Sequence, residues 1–151
     1  MRPAIRADVA AMSRVLTASI TELCAADHHG DPAIIAGWTR NKTPAEVAKF
    51  FDNPELSLFV AERLGEIAAV GGVEHDGHIR LNYVAPTHRF RGVSKVLLAG
   101  MEDALRQRGV TTGKLHSTRT AHAFYQRAGW LDDGVLDTSG RIPGQPMRKA
   151  L

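Results

Sequence analysis

Aromatic residues are scarce, at 6% of the chain, and cysteine occurs once, at Cys24. A lone cysteine closes no internal disulfide, which excludes a disulfide-stapled scaffold. Long hydrophobic runs are also missing. The N-terminal stretch holds no apolar segment long enough for a signal peptide or a membrane span. Together these absences predict a cytoplasmic protein with no membrane partner. Charge of one sign is not in excess either, with 19 basic against 16 acidic residues and a net charge of +3. That balance argues against a nucleic-acid arm and suits an anionic small molecule equally well. What is present, 151 residues of which 44% are hydrophobic, suits one domain over residues 1–151 that buries enough apolar surface to fold unaided. No internal repeat or low-complexity linker interrupts it, and a homodimer is compatible with this composition.

Local signals give the element order. Arg2 to Arg6 reads as a short strand, and Asp8 as the N-cap of a helix whose apolar positions Met12, Val15, Leu16, Ile20 and Leu23 recur at helical spacing. Cys24 shares the face of Ile20 and Leu23 and reads as a small buried hydrophobe rather than a nucleophile. Asp31 before Pro32, and Thr43 before Pro44 with Glu46 in a capping box, start two short helices in series. Leu56 to Arg63 and Glu66 to His75 read as strands turning around Leu64-Gly65. Asp76-Gly77 is a hairpin signal leading into His78–Val84, which makes a three-strand antiparallel meander. After Pro86 a helix runs to about Arg108 and closes on Gly109. Lys114 to Ser117 is a strand, and a helix from Arg119 to Ala128 closes on Gly129. Trp130 to Leu151, rich in glycine and proline, reads as two short strands joined by a loop. The fold class is α/β (α+β), with a mixed, mostly antiparallel central sheet of about six to seven strands flanked by helices.

The most informative stretch is HRFRGVSKVLL, His88 to Leu98. It places the end of a strand beside a helix start, where the first N–H groups lack intrahelical partners and the dipole adds about half a positive charge. Gly92 keeps a side chain out of the way, Val93 seats the helix, Ser94 stays small, and Arg89, Arg91 and Lys95 bring charge to the rim. From the residues alone, an anion seat and a solvated basic helix start are both open. The pattern is neither GxGxxG nor GxxxxGK[ST], so a Rossmann or P-loop phosphate site is disfavoured.

Arg89, Gly92 and Ser94 resemble the acyl-CoA motif [QR]-x-x-G-x-[GA] of the GCN5-related N-acetyltransferase (GNAT) superfamily, with serine at the last position. A second stretch, TAHAFYQRAGW, is similar to that family's next helix in Ala121, Phe124, Tyr125, Gly129 and Trp130; the asparagine common before this alanine is Thr118 here. The resemblance implies acetyl-CoA as co-substrate. Its pyrophosphate would be cradled by backbone N–H groups from Phe90 to Lys95, its pantetheine arm would pair with Tyr83, Val84 and Ala85, and Thr118, Ala121 and Phe124 would complete the seat. It also implies transfer of the acetyl group to a primary amine of a small molecule or peptide by direct attack. Tyr125 would protonate the leaving thiolate, and an N–H near Val84 would hold the oxyanion. The base is open among His78, Glu74 across the hairpin, and a bound water. The stretch from Cys24 to Thr43, with Trp38 and Arg40, would wall the acceptor cleft. The competing reading is a non-catalytic acyl-CoA-binding or sensor module, against which Tyr125 favours an enzyme. Asp27 to Asp31 carries metal-capable side chains but reads as a capping loop, and no metal is expected.

Overall fold

Strand β2 (Leu56–Arg63) turns back onto β3 (Glu66–Glu74) through Leu64 and Gly65, whose φ values of 55° and 77° are the left-handed pair that a tight two-residue hairpin needs. The computed structural model describes residues 1–151. The apolar run Ala68–Val73 in β3 is buried on both faces, so it needs a layer on each side. One layer is α1 (Val9–Leu23), whose Met12 and Leu16 pack with Val60, Val70 and Leu81. The other is α5 (Val93–Gln107), whose Leu97, Leu98, Met101 and Leu105 pack with Phe59, Ala69 and Val73. At Gly71 the second layer rests directly on the strand backbone, where a Cβ would lie 2.7 Å from Met101 Sδ.

Around this core stand β1 (Arg2–Pro3), α2 (Ala25–His28), α3 (Pro32–Thr39), α4 (Pro44–Phe50), β4 (Ile79–Val84), β5 (Thr112–Ser117), α6 (Arg119–Arg127), β6 (Leu131–Asp132) and β7 (Gln145–Ala150). Seven strands are present, within the expected six to seven, mostly antiparallel and flanked by helices. They form two sheets rather than one, in the orders β1-β2-β3-β4 and β5-β7-β6. Between β4 and β5 there is a single parallel bridge, His78 to Lys114.

Several local expectations are corrected. The first strand stops at Pro3, and Arg6–Asp8 forms a 3-10 turn. The Asp8 side chain does not cap α1, because Arg2 Nη1 at 2.7 Å and the Ile5 N–H at 2.9 Å take its carboxylate. The capping box at Thr43 is half made: Thr43 Oγ1 accepts from the Glu46 N–H at 3.3 Å, while the Glu46 carboxylate turns to Lys49. Asp27 and His28, read as part of a capping loop, are buried within the single helical turn of α2.

The second sheet is pinned to α5 by one buried carboxylate. Glu102 accepts from Trp130 Nε1 at 3.0 Å and from Lys149 Nζ at 2.8 and 3.0 Å, and Lys149 also donates to the Ala128 carbonyl. Removing one member leaves an indole N–H and an ammonium without their acceptor. Glu102→Ala is therefore expected to lower unfolding free energy by about 3 kcal/mol, read from the urea midpoint at constant m-value.

Candidate active site

Where β4 and β5 part, the start of α5 and the flank of α6 enclose a cleft of about 470 Å³. One end of it is built by the turn before α5. Phe90 and Gly92 adopt left-handed φ values of 61° and 79°, which swing successive peptide N–H groups toward the same side. From Phe90 through Lys95 no backbone N–H donates a bond within the chain; the helix ladder begins at the Val96 N–H to the Gly92 carbonyl, 3.1 Å. A Cβ at Gly92 would meet nothing within 4 Å, so glycine is required there by φ and not by crowding within the protein. Arg89 lies over the exposed Phe90 ring, 4.5 Å from its centroid.

The other end is built by β4 and α6. The Ala85 N–H bonds the Ala68 carbonyl and the Ala85 carbonyl accepts from the His88 N–H, so strand alternation turns the N–H and C=O of Val84 away from β3 into the cleft. Of the three expected backbone partners, Val84 alone offers both groups; those of Tyr83 and Ala85 face β3 and the following turn. Tyr125 sits edge-on to Phe124 and Trp130 at 5.2 and 6.0 Å, and its hydroxyl accepts from Asn82 Nδ2 at 3.1 Å. Asn82 was not singled out by the sequence, although its place on the cleft face of β4 was legible. Its Oδ1 is buried without a partner. Burial pushes the phenols of Tyr125 and Tyr83 up to about 12 and the Cys24 thiol, which lines the same cleft, up to about 11.

Helix α6 is held from two sides. Thr118 Oγ1 accepts from the Ala121 N–H at 3.3 Å, and Asp27 accepts from the N–H groups of Arg119 and Thr120 at 2.7 and 3.1 Å and from the Thr120 hydroxyl at 2.6 Å. His28 beside it bonds the Ile20 carbonyl and accepts from the Gly30 N–H. The Asp27–Asp31 stretch is thus structural.

Neither expected base reaches the cleft. β4 carries one extra residue opposite Gly72 and Val73, since Val73 pairs with Ile79 and Gly72 with Leu81. That bulge reverses the alternation, so His78 leaves the face that carries Asn82 and Val84. Its ring stacks on His116 at 5.8 Å, and the histidines that line the cleft are His116 and His88. Burial, then Arg80, lowers the His78 pKa, and its Nε2 is buried without a partner. Glu74 pairs with Arg80 at 2.8 Å. Glu74, Asp76 and His78 also place ligand-type atoms within 4.8 Å of one another, a grouping outside the stretch that the sequence had suggested. The remaining expected residues come together: Arg89, Phe90, Gly92, Val93, Ser94 and Lys95 line one end, and Thr118, Ala121, Phe124 and Tyr125 the other. Arg91 stands outside the lining.

The family model described as an acetyltransferase (GNAT) domain matches residues 10–151. The chain is 29% identical over 115 residues to the IAA acetyltransferase of Azospirillum brasilense, covering 66% of this chain and 74% of that one. Another curated relative, 27% identical over 70 residues, is spanned over 47% of its length. Among solved structures, a GCN5-related N-acetyltransferase from Rhodopseudomonas palustris superposes with TM-score 0.87 at 21% identity, covering 99% of this chain and 94% of that one. The PaiA N-acetyltransferase of Thermoplasma acidophilum, solved in complex with coenzyme A, gives 0.80 at 17% identity over 99% and 97%. At these identities the two structures bear on the fold alone. The match over residues 10–151 settles the family: the chain belongs to the GNAT acetyltransferases and is an acyltransferase.

Proposed function

We propose that the chain transfers the acetyl group of acetyl-CoA to a primary amine of a small molecule or peptide by direct attack, in the cytoplasm. The observation that carries this reading is the run of unbonded N–H groups from Phe90 to Lys95 at the mouth of the cleft. Such a run at a helix start fits a pyrophosphate, with Arg89 and Lys95 on its rim. The Val84 N–H and C=O fit the amide-bearing arm by strand addition. Acetyl-CoA supplies an activated acyl group on a thiol leaving group.

The chain's own groups then divide the proton work. Asn82 Nδ2 fills one lone pair of the Tyr125 oxygen, which leaves the hydroxyl proton free to point toward a departing sulfur. A phenol near 12 is too weak an acid for an ordinary thiolate. A thiolate formed in this cleft is no longer ordinary, because the burial that raises the Tyr125 phenol and the Cys24 thiol also makes a thiolate there more basic, so donor and acceptor shift in the same direction. The charged lining of the whole cleft is Arg80, Arg89, Lys95 and Arg127 with no carboxylate, and of these Arg89 and Lys95 stand at the anion seat while Arg80 pairs with Glu74. His78 and Glu74 themselves lie outside the lining. That supports loss of the amine proton to a bound water rather than to His78 or Glu74.

Gly92→Glu places a side chain and a negative charge in the anion seat. Calorimetric titration is expected to show no binding of coenzyme A, while circular dichroism shows a retained fold destabilised by about 1 kcal/mol for a non-glycine residue at φ +79°. Unchanged affinity would place the phosphates elsewhere.

Tyr125→Phe keeps the ring and removes the proton donor. We expect kcat to fall roughly a hundredfold or more, with coenzyme A affinity kept within a few-fold. Full kcat in this variant would reduce Tyr125 to a packing residue.

The two tyrosines are the only ones in the chain, so ultraviolet phenolate absorbance reads them directly. Folded protein is expected to stay phenolic past pH 11 and ionise near 12. Unfolded chain should titrate near 10. Because the folded pKa values are raised, the stabilisation is complete below about pH 10 and is lost between 10 and 12. Ionisation of either tyrosine near 10 in the native protein would refute the burial of its phenol.

A further inference from the structure

A second groove, of about 260 Å³, lies between Gly37–Lys42 and the loop residues Arg141 and Ile142. Three of its lining side chains are cationic, Arg40, Lys42 and Arg141, and none of them enters an ion pair. Lys42 is the sharpest case. It is 7% exposed, and its ammonium donates to the neutral Asn41 Oδ1 at 2.5 Å. Burial alone lowers its pKa, the mark of a cation withdrawn from water with no counter-charge. A buried lysine of this kind is normally paired with an acid.

The groove is also shaped around Arg141. Gly37 lies inside α3 without a positive φ, so its backbone conformation does not call for glycine, and glycine costs a helix about 1 kcal/mol relative to alanine. A Cβ there would collide with Arg141 Nη1 and stand 3.0 Å from Cδ and Cζ. Gly37 thus lets the guanidinium lie on the helix, across the groove from Lys42. The groove adjoins the main cleft through Trp38, which lines the groove and lies beside the side chain of Tyr83, a residue of the main cleft's lining.

We propose that this groove holds an anionic group, a carboxylate or a phosphoryl, carried by the amine acceptor whose nitrogen reaches the main cleft. The inference rests on the acetyl-transfer reading for its acceptor role, and on the groove alone for anion binding. Arg40 and Arg141 supply planar forks suited to either oxyanion, and Lys42 supplies the point charge.

Binding is tested without catalysis by titrating inorganic phosphate and acetate and following Trp38 fluorescence. The chain's other tryptophan, Trp130, is 1% exposed in the core, and Trp38→Phe locates the signal. A saturable change is expected with at least one of the two ions, weakened about tenfold or more in the exposed-site double variant Arg40→Gln/Arg141→Gln. Transfer is tested with γ-aminobutyrate, O-phosphoethanolamine and butylamine as acceptors. At least one anionic amine should show a KM about tenfold below that of butylamine, a preference that collapses in the double variant. A response to γ-aminobutyrate alone assigns a carboxylate; a response to O-phosphoethanolamine alone assigns a phosphoryl. Absence of anion binding, or binding and preference unchanged in the double variant, overturns the proposal while leaving acetyl transfer standing. Anion binding lost in the double variant, in a protein that acetylates no amine, sustains the groove as an anion site and removes the transfer reading instead.

Discussion

Strands β4 and β5 meet at one point, where the Lys114 N–H donates to the Gly77 carbonyl at 2.9 Å and His78 bridges Lys114. Gly77 is fixed there twice over. Its φ is +100°, and a Cβ would stand 2.7 Å from the Thr112 carbonyl oxygen, so no other residue lets β5 come this close to the turn. His78 and His116 stack just beyond the contact. From this pivot the strands separate. Had they continued in register, the Val84 N–H and C=O would be spent on β5 and the cleft would not exist. An unpaired strand edge is ordinarily an aggregation hazard. Here it is recessed between α5 and α6, where a narrow extended ligand can pair with it.

The cleft that opens is lined by buried neutral acids and, among its charged side chains, by cations alone. Tyr83, Tyr125 and Cys24 stay protonated because burial penalises their anions, while the charged lining is cationic. On the acetyl-transfer reading proposed above, these cations suit an anionic donor, and they would draw in a negative group on the acceptor and oppose a second positive one.

Local signals carried the element order because each depends on a few adjacent residues. Asp31 caps α3 before Pro32, Gly109 and Gly129 close their helices at φ 79° and 85°, and Leu64-Gly65 makes its hairpin. Pairings across long stretches of chain left no local trace. Asn82 meets Tyr125 at a separation of 43 residues and Asp27 meets Arg119 at 92. The turn before α5 was legible since its chemistry is that of consecutive peptide groups. His78 stands off the cleft for a definite reason: one extra residue in β4 breaks the strand alternation between Val84 and His78.

The orientation of the donor follows from a contrast between two helix starts that face the same cleft. Both α5 and α6 present the positive end of a helix dipole, so either could in principle seat a phosphate. At α6 the first three N–H groups are already filled, by the two Asp27 oxygens and by Thr118. A short helix of nine residues is marginal without such partners, and the buried Asp27 carboxylate supplies charge as well as acceptors. At α5, fifteen residues long and packed along Leu97, Met101 and Leu105, the core carries the helix and its start needs no cap. Its N–H groups are left free. The free donors therefore lie at α5 and not at α6, and on the acetyl-CoA reading that would send the opposite end of an extended donor past Val84 toward Tyr125. The same carboxylate that stabilises α6 thus sets the direction in which the cleft is read.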